Sequence, residues 1–174
     1  RAGKVRHAGL SNFAESEVDA AVHAATHSGL AAPVNLQSGY SLLERDAADG
    51  VFALCARHGI GFTAHSPLAG GWLTGKYRSG QPFPAGSRMT LRPEPYQPWN
   101  TEATYAAIDR LAGFAAERGL SLSTLALAWV VGDPAVTAVV IGPRTPEHIA
   151  QAVTAVDVTL TYAERARSRD VMAR

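Results

Sequence analysis

Apolar residues recur along this chain with two alternating periods, one that suits strands and one that suits helices. Lys4 to Leu10 reads as a first strand ending at Ser11-Asn12. Between Glu15 and Ser28, Val18, Ala21, Val22 and Ala25 share one helical face, and Gly29 closes it. Val34 to Gln37 predicts a second strand; Asp49 to His58 predicts a second helix, stopped by Gly59. Ile60, Phe62 and Ala64 mark a third, buried strand reaching His65. Thr101 to Arg118 is amphipathic, with Ile108, Leu111 and Ala115 on one face. Ser121 caps a helix that runs through Leu125, Ala128 and Trp129 to the break at Gly132-Asp133-Pro134. The unbroken apolar run Val136 to Ile141 suits a parallel strand covered on both faces. Thr145 and Pro146 begin another helix, with threonine as its cap, and Thr161 to Glu164 forms a capping box for the last. Strands alternating with helices predict an α/β fold of about four parallel strands, side by side in chain order. Helices on one face would leave two open edges.

The stretch from Gly61 to Arg88 carries the candidate chemistry. Pro67 lacks an N–H and fixes its own φ, so the third strand cannot continue past Ser66. Ala69, Gly70 and Gly71 leave the backbone bare for a ligand to lie against it, and Lys76 follows. Free amides after a strand, with a lysine close by, suit a pyrophosphate. Beyond it, Arg78 to Asn100 is rich in Pro, Gly and Ser and holds Tyr96 and Trp99, a loop long enough to be functional or mobile.

AHSPLAGGWLTGKY followed by PAGSR resembles the cofactor loop of the aldo-keto reductases, nicotinamide-dependent carbonyl reductases built on a (β/α)8 barrel. The nearest branch is the one with bacterial reductases and potassium-channel β subunits. GKVRHAGLSNF, VNLQSGYSLLER, LALAWV and VVIGPRTPEHI match too, in the family's order along essentially the whole chain. The resemblance implies that 1–174 is one domain, the C-terminal half of a TIM-type barrel. A whole barrel takes about 250 residues, so the chain is expected to be a piece of a longer protein.

The resemblance also implies site residues. Ser11, Asn12 and Gln37 would hold the nicotinamide carboxamide, which needs a donor and an acceptor. His65 stands where relatives place an aromatic ring over the nicotinamide; it either stacks there or is simply a histidine hydrogen-bonded at a strand end. Ser66, Leu68, Gly70 and Gly71 would line the pyrophosphate, with Lys76 and Arg88 adding charge. Arg144, His148 and Gln151, at a helix start, would take the 2′-phosphate and adenine, although Ala152 replaces a residue that binds adenine in relatives. The family's catalytic Asp, Tyr, Lys and His belong ahead of Arg1, and Tyr40, Tyr77, Tyr96, Tyr105 and Tyr162 fall in segments with other roles. The implied activity is NADP(H)-dependent reduction of aldehydes or ketones, a small-molecule carbonyl substrate, with this chain supplying the cofactor-binding half. The alternative is a cofactor-binding or regulatory module without turnover. A phosphate-binding barrel such as a sugar-phosphate isomerase is weaker, since no acid–base pair for it is evident.

Composition narrows the picture further. Hydrophobic residues make up 47% of 174, enough for a sizeable core. Net charge is +1 with the signs interspersed, and no basic stripe with interleaved aromatics points to nucleic acid. The longest apolar run falls short of the ~20 residues of a membrane span, and no signal peptide is seen. Cys55, the single cysteine, reads as a small buried residue and suits a cytoplasmic setting. His23 and His27 have zinc-helix spacing, but Ala24 stands where H-E-x-x-H needs glutamate. Neither G-x-S-x-G nor a strand-following G-x-G-x-x-G occurs. The partner expected at the open edges is the missing N-terminal half-barrel or a second copy.

Overall fold

The computed structural model describes residues 3–172, so both ends of the expected 1–174 domain lie outside the described residues. Its four strands are β1 (Gly9–Ser11), β2 (Asn35–Gly39), β3 (Gly61–His65) and β4 (Ala138–Val139). They form one parallel sheet in the order β1-β2-β3-β4, as the alternating pattern predicts. The helices are α1 (Glu15–His27), α2 (Val51–His58), α3 (Arg88–Leu91), α4 (Glu102–Glu117), α5 (Leu122–Val131), α6 (Pro146–Val156) and α7 (Tyr162–Met172).

Alternation gives the sheet two unlike faces. Leu36, Phe62 and Ala64 are fully buried in a core shared with Val18 and Val22 of α1, Leu54 of α2 and Leu111 of α4. The other face carries the row Ser11–Gln37–Thr63–Ala138, with Asn35 one step before it and His65 one step beyond. Helix α5 is buried nearly all round, against α4, α6 and the turn after β3, which explains its unbroken apolar run.

Two strands are shorter than their apolar runs. Lys4 to Ala8 is not strand, and Val5 is 75% exposed, because nothing among the described residues packs against it. β4 keeps two residues of the run 136–141, and Val140 is 45% exposed rather than covered. Among the described residues β4 pairs with β3 alone, so its other edge is open. Ile149, Val153 and Val156 form an exposed apolar stripe along α6, which packs on α5.

The helix starts behave mostly as read. Ser121 accepts from the Thr124 amide at 3.0 Å, and the Thr161–Glu164 capping box forms with Thr161 N donating to Glu164 Oε2 at 2.7 Å. Thr145 is the exception: its hydroxyl makes no cap bond to α6 and engages the Glu147 carboxylate instead. Cys55 is buried, and burial pushes its thiol upward. No single helix among the described residues is long and apolar enough to cross a membrane.

One buried polar node joins three elements. After α5, Asp133 Oδ2 accepts from the Tyr40 hydroxyl at 2.9 Å and from Arg165 of α7 at 2.8 Å. Arg165 also donates to the Trp129 carbonyl and lies over the Trp129 ring, whose indole N–H donates back to the Arg165 carbonyl at 3.1 Å. Burial first, and then the Asp133 carboxylate, raise the Tyr40 hydroxyl far above the usual tyrosine range, so it remains a donor.

Candidate functional site

Parallel strands put their C-terminal ends together, and there the polar face becomes a shelf. The Asn12 amide donates to the Gln37 carbonyl at 2.9 Å, tying the end of β1 to β2. His65 ends β3, and its Nε2 meets Asn12 Oδ1 at 2.8 Å while its Nδ1 meets Ser66 Oγ at 3.1 Å. Ser11, Asn12, Gln37, His65 and Ser66 therefore form one cluster. Its amides and hydroxyls offer the donor and acceptor pair that a carboxamide requires. The two alternatives for His65 are not exclusive, since bonds in the ring plane leave the ring faces free.

The chain then turns in the left-handed region. Asn12, Ser66 and Ala69 have φ of 56°, 55° and 48°, and Gly70 and Gly71 follow at 63° and 99°. Side chains lie where these glycines have none: a Cβ on Gly70 would stand 2.6 Å from the Tyr96 ring, and one on Gly71 2.5 Å from Lys76 Nζ. The Tyr77 hydroxyl donates to the Gly70 carbonyl at 3.0 Å. Leu68 shapes the same turn through its carbonyl, which accepts from Gly71 N at 2.9 Å, while its side chain packs on Leu127 and Ala155.

Three cations surround this turn. Protein atoms crowded round the Lys76 ammonium, and then the charges of Arg144 and Arg88, push it below the usual lysine range. The Lys76 residue as a whole stays exposed, so the crowding of charge is the part that a ligand would feel. None of the three has a carboxylate partner among the described residues. Like charges held together without a counter-charge suit a multivalent anion. Arg144 donates to the Gly86 carbonyl at 2.7 Å, which fastens the start of α6 to the loop that carries Arg88. His148 Nδ1 accepts the Arg144 amide at 3.2 Å, so that ring nitrogen is used within the protein; Gln151 is exposed on α6. The turn is not bare as the sequence suggested, since Tyr96 lies over Gly70 and Lys76 over Gly71, but with the shelf and the cations it offers groups suited to a carboxamide and to phosphates.

Sequence reasoning missed several neighbours. Glu44 lies over Gly39, where a Cβ would stand 2.3 Å from its Oε1, and Gly39 is the register partner of His65. Burial raises the Glu44 carboxyl, and the charge of His65 pulls it back. The polar alternation Asn35-Leu36-Gln37 and Gly61-Phe62-Thr63 could have revealed Asn35 and Thr63, which bond at 2.9 Å. The long loop is also better ordered than its composition suggests. It contains α3, and its Phe83 packs on Tyr77 and Trp72. On α1, His23 faces Asp19 at 3.5 Å, and no group of three His, Cys, Asp or Glu among the described residues could hold a metal. A hollow of about 490 Å³ between α1 and α2, lined by Ala14, Asp19, Leu54 and Arg57, lies apart from these groups.

Comparison with known proteins finds a match to the model of the aldo/keto reductase family over residues 1–172. An uncharacterized oxidoreductase, YrpG, of Bacillus subtilis is 35% identical over 92% of this chain and 47% of its own length. A probable voltage-gated potassium channel subunit beta of Oryza sativa is 34% identical over 86% of this chain and 46% of its own. L-glyceraldehyde 3-phosphate reductase of Escherichia coli is 29% identical over 95% and 48%. The chain thus spans about half the length of the curated relatives that it matches.

Proposed function

This chain belongs to the aldo/keto reductase family, and from that premise we propose that it is the cofactor-binding part of an NADP(H)-dependent enzyme reducing aldehydes or ketones. The observation that carries the reading is the gathering of Lys76 beside Gly71 with Arg144, which is tied to Gly86 near Arg88, none of the three having a carboxylate partner among the described residues. Asn12 and Gln37 would orient the nicotinamide carboxamide, His65 would face its ring, and the turn with Lys76 and Arg88 would hold the pyrophosphate. Arg144, with His148 Nε2 and Gln151 nearby, would take the 2′-phosphate end. The bound cofactor supplies the hydride, and the protein supplies position and electrostatics. The open edge of β4 is where the first half-barrel of the longer protein would close the sheet.

Arg144→Ala is expected to weaken NADPH binding roughly tenfold to hundredfold, the range for a charged hydrogen bond, with much less change for NADH. Titration of both nucleotides against the wild-type and variant proteins checks this. Equal losses for both would mean that Arg144 only fastens the loop through Gly86.

A second reading, a cofactor-carrying module without turnover, has one observation behind it. Tyr40 bonds Asp133, Tyr77 bonds Gly70, Tyr105 bonds Asn100, Tyr96 covers Gly70 and Tyr162 is 87% exposed, so among the described residues no tyrosine hydroxyl is bonded to Asn12, Gln37 or His65. NADPH oxidation by an aldehyde, measured with the longer protein, separates the two readings. General acid catalysis contributes about 10²–10⁴-fold, so its loss would show clearly.

A further inference from the structure

His65 is held in an unusual way. Both of its ring nitrogens are bonded in the ring plane, and the partners, Asn12 and Ser66, are two of the three non-glycine residues with positive φ among the described residues. The Asn12 carbonyl oxygen can only accept, so in this orientation Nε2 carries a proton. The Ser66 hydroxyl can donate to a bare Nδ1 or accept from a protonated one. The ring can therefore gain a proton without losing either bond or moving. Among the described residues Glu44, laid over Gly39, is a charged group that acts on it; Asp46 in turn acts on Glu44, and Arg45 donates to the Leu42 carbonyl at 2.7 Å.

Resting on the cofactor reading above, we propose that His65 sets this chain's preference between the reduced and the oxidised nicotinamide, favouring the reduced form when its imidazole is protonated. An oxidised nicotinamide ring carries a positive charge, and the reduced ring is neutral. A protonated imidazole against that ring repels only the oxidised form, and the clamp denies it the usual relief of swinging away. Imidazole is the side chain that ordinarily changes charge between about pH 5 and 8. The sign follows: NADP⁺ disfavours the proton on His65, so its affinity rises with pH, whereas NADPH lacks this effect. The 2′-phosphate also titrates in this range, but it is common to both nucleotides and cancels in their ratio.

The test is to measure Kd for NADP⁺ and NADPH from about pH 5.5 to 8.5 with the wild-type chain, His65→Phe and Glu44→Gln. The ratio Kd(NADP⁺)/Kd(NADPH) is expected to fall about tenfold with rising pH, equivalent to one unit of linkage. It should be flat in His65→Phe, which keeps a flat ring, and the fall should persist in Glu44→Gln, which leaves both His65 bonds in place. His65→Tyr serves in place of His65→Phe should the latter not fold. Binding of both nucleotides by the wild-type chain with a pH-independent ratio overturns the proposal while leaving the cofactor reading intact. Persistence of the fall in His65→Phe or His65→Tyr also overturns it. Binding of neither nucleotide overturns the cofactor reading, and this proposal with it.

Discussion

Replacing Asp133 with alanine is expected to remove about 3 kcal/mol of folding stability, the lower end of the ~3–5 kcal/mol cost of deleting one partner of a buried ion pair, because this pair is part-buried. The Asp133 and Arg165 side chains are 15% and 18% exposed, so neither charge has much access to water as compensation. The variant would strand the Arg165 guanidinium and the Tyr40 hydroxyl together, and would undo the turn in which Ala135 N donates to Asp133 Oδ1 at 3.0 Å. A domain's whole margin is only about 5–15 kcal/mol, so the loss would be plain in urea denaturation followed by circular dichroism. Asp133→Asn keeps an acceptor and should lose less. A change below about 1 kcal/mol in Asp133→Ala would show that this node is not a structural keystone.

The second large effect belongs to the cofactor site. Lys76→Ala combined with Arg88→Ala is expected to weaken NADPH and NADH alike by about a hundredfold or more, because each charged hydrogen bond is worth about 1.5–3 kcal/mol. In the cofactor reading both residues would face phosphates present in either nucleotide, in contrast to Arg144. Removing Lys76 also relieves its repulsion with Arg88 and Arg144, so the double loss should fall short of the sum of two single losses. Calorimetric titration of the single and double variants reads this directly. Strictly additive losses would argue that the three cations do not share one anion.

The sheet was legible because strand and helix periods differ, and because Pro67, Gly59 and Ser121 punctuate the chain by local chemistry that tertiary contacts do not override. Strand lengths were not legible: Val5 and Val140 are as apolar as core residues, and their exposure depends on a neighbour that no local pattern encodes. The grouping of candidate residues was readable where a motif names them, as with Asn12 and His65, which the fold brings into contact. It was hidden where contacts join residues distant in sequence. Glu44 reaches His65 across the sheet end, and Asp133 meets Tyr40 across 93 positions, although Asp133 looked like no more than a helix break. The Thr145 cap failed for a local reason, competition from the Glu147 carboxylate two residues on.

The left-handed residues Asn12, Ser66 and Ala69 carry a consequence for any attempt to improve this protein. Each such backbone costs of order 1–3 kcal/mol with a side chain present, and glycine relieves it. A library selected only for heat resistance should therefore collect glycine at these three positions. Ala69→Gly leaves the His65 bonds untouched, but its methyl is fully buried in the core, so lost packing offsets part of the gain. Glycine at 12 or 66 would raise the melting temperature while removing the amide or hydroxyl that fixes His65, and nucleotide affinity should fall. Sequencing heat-selected clones and assaying NADPH binding in each would show robustness and recognition drawing on the same few residues.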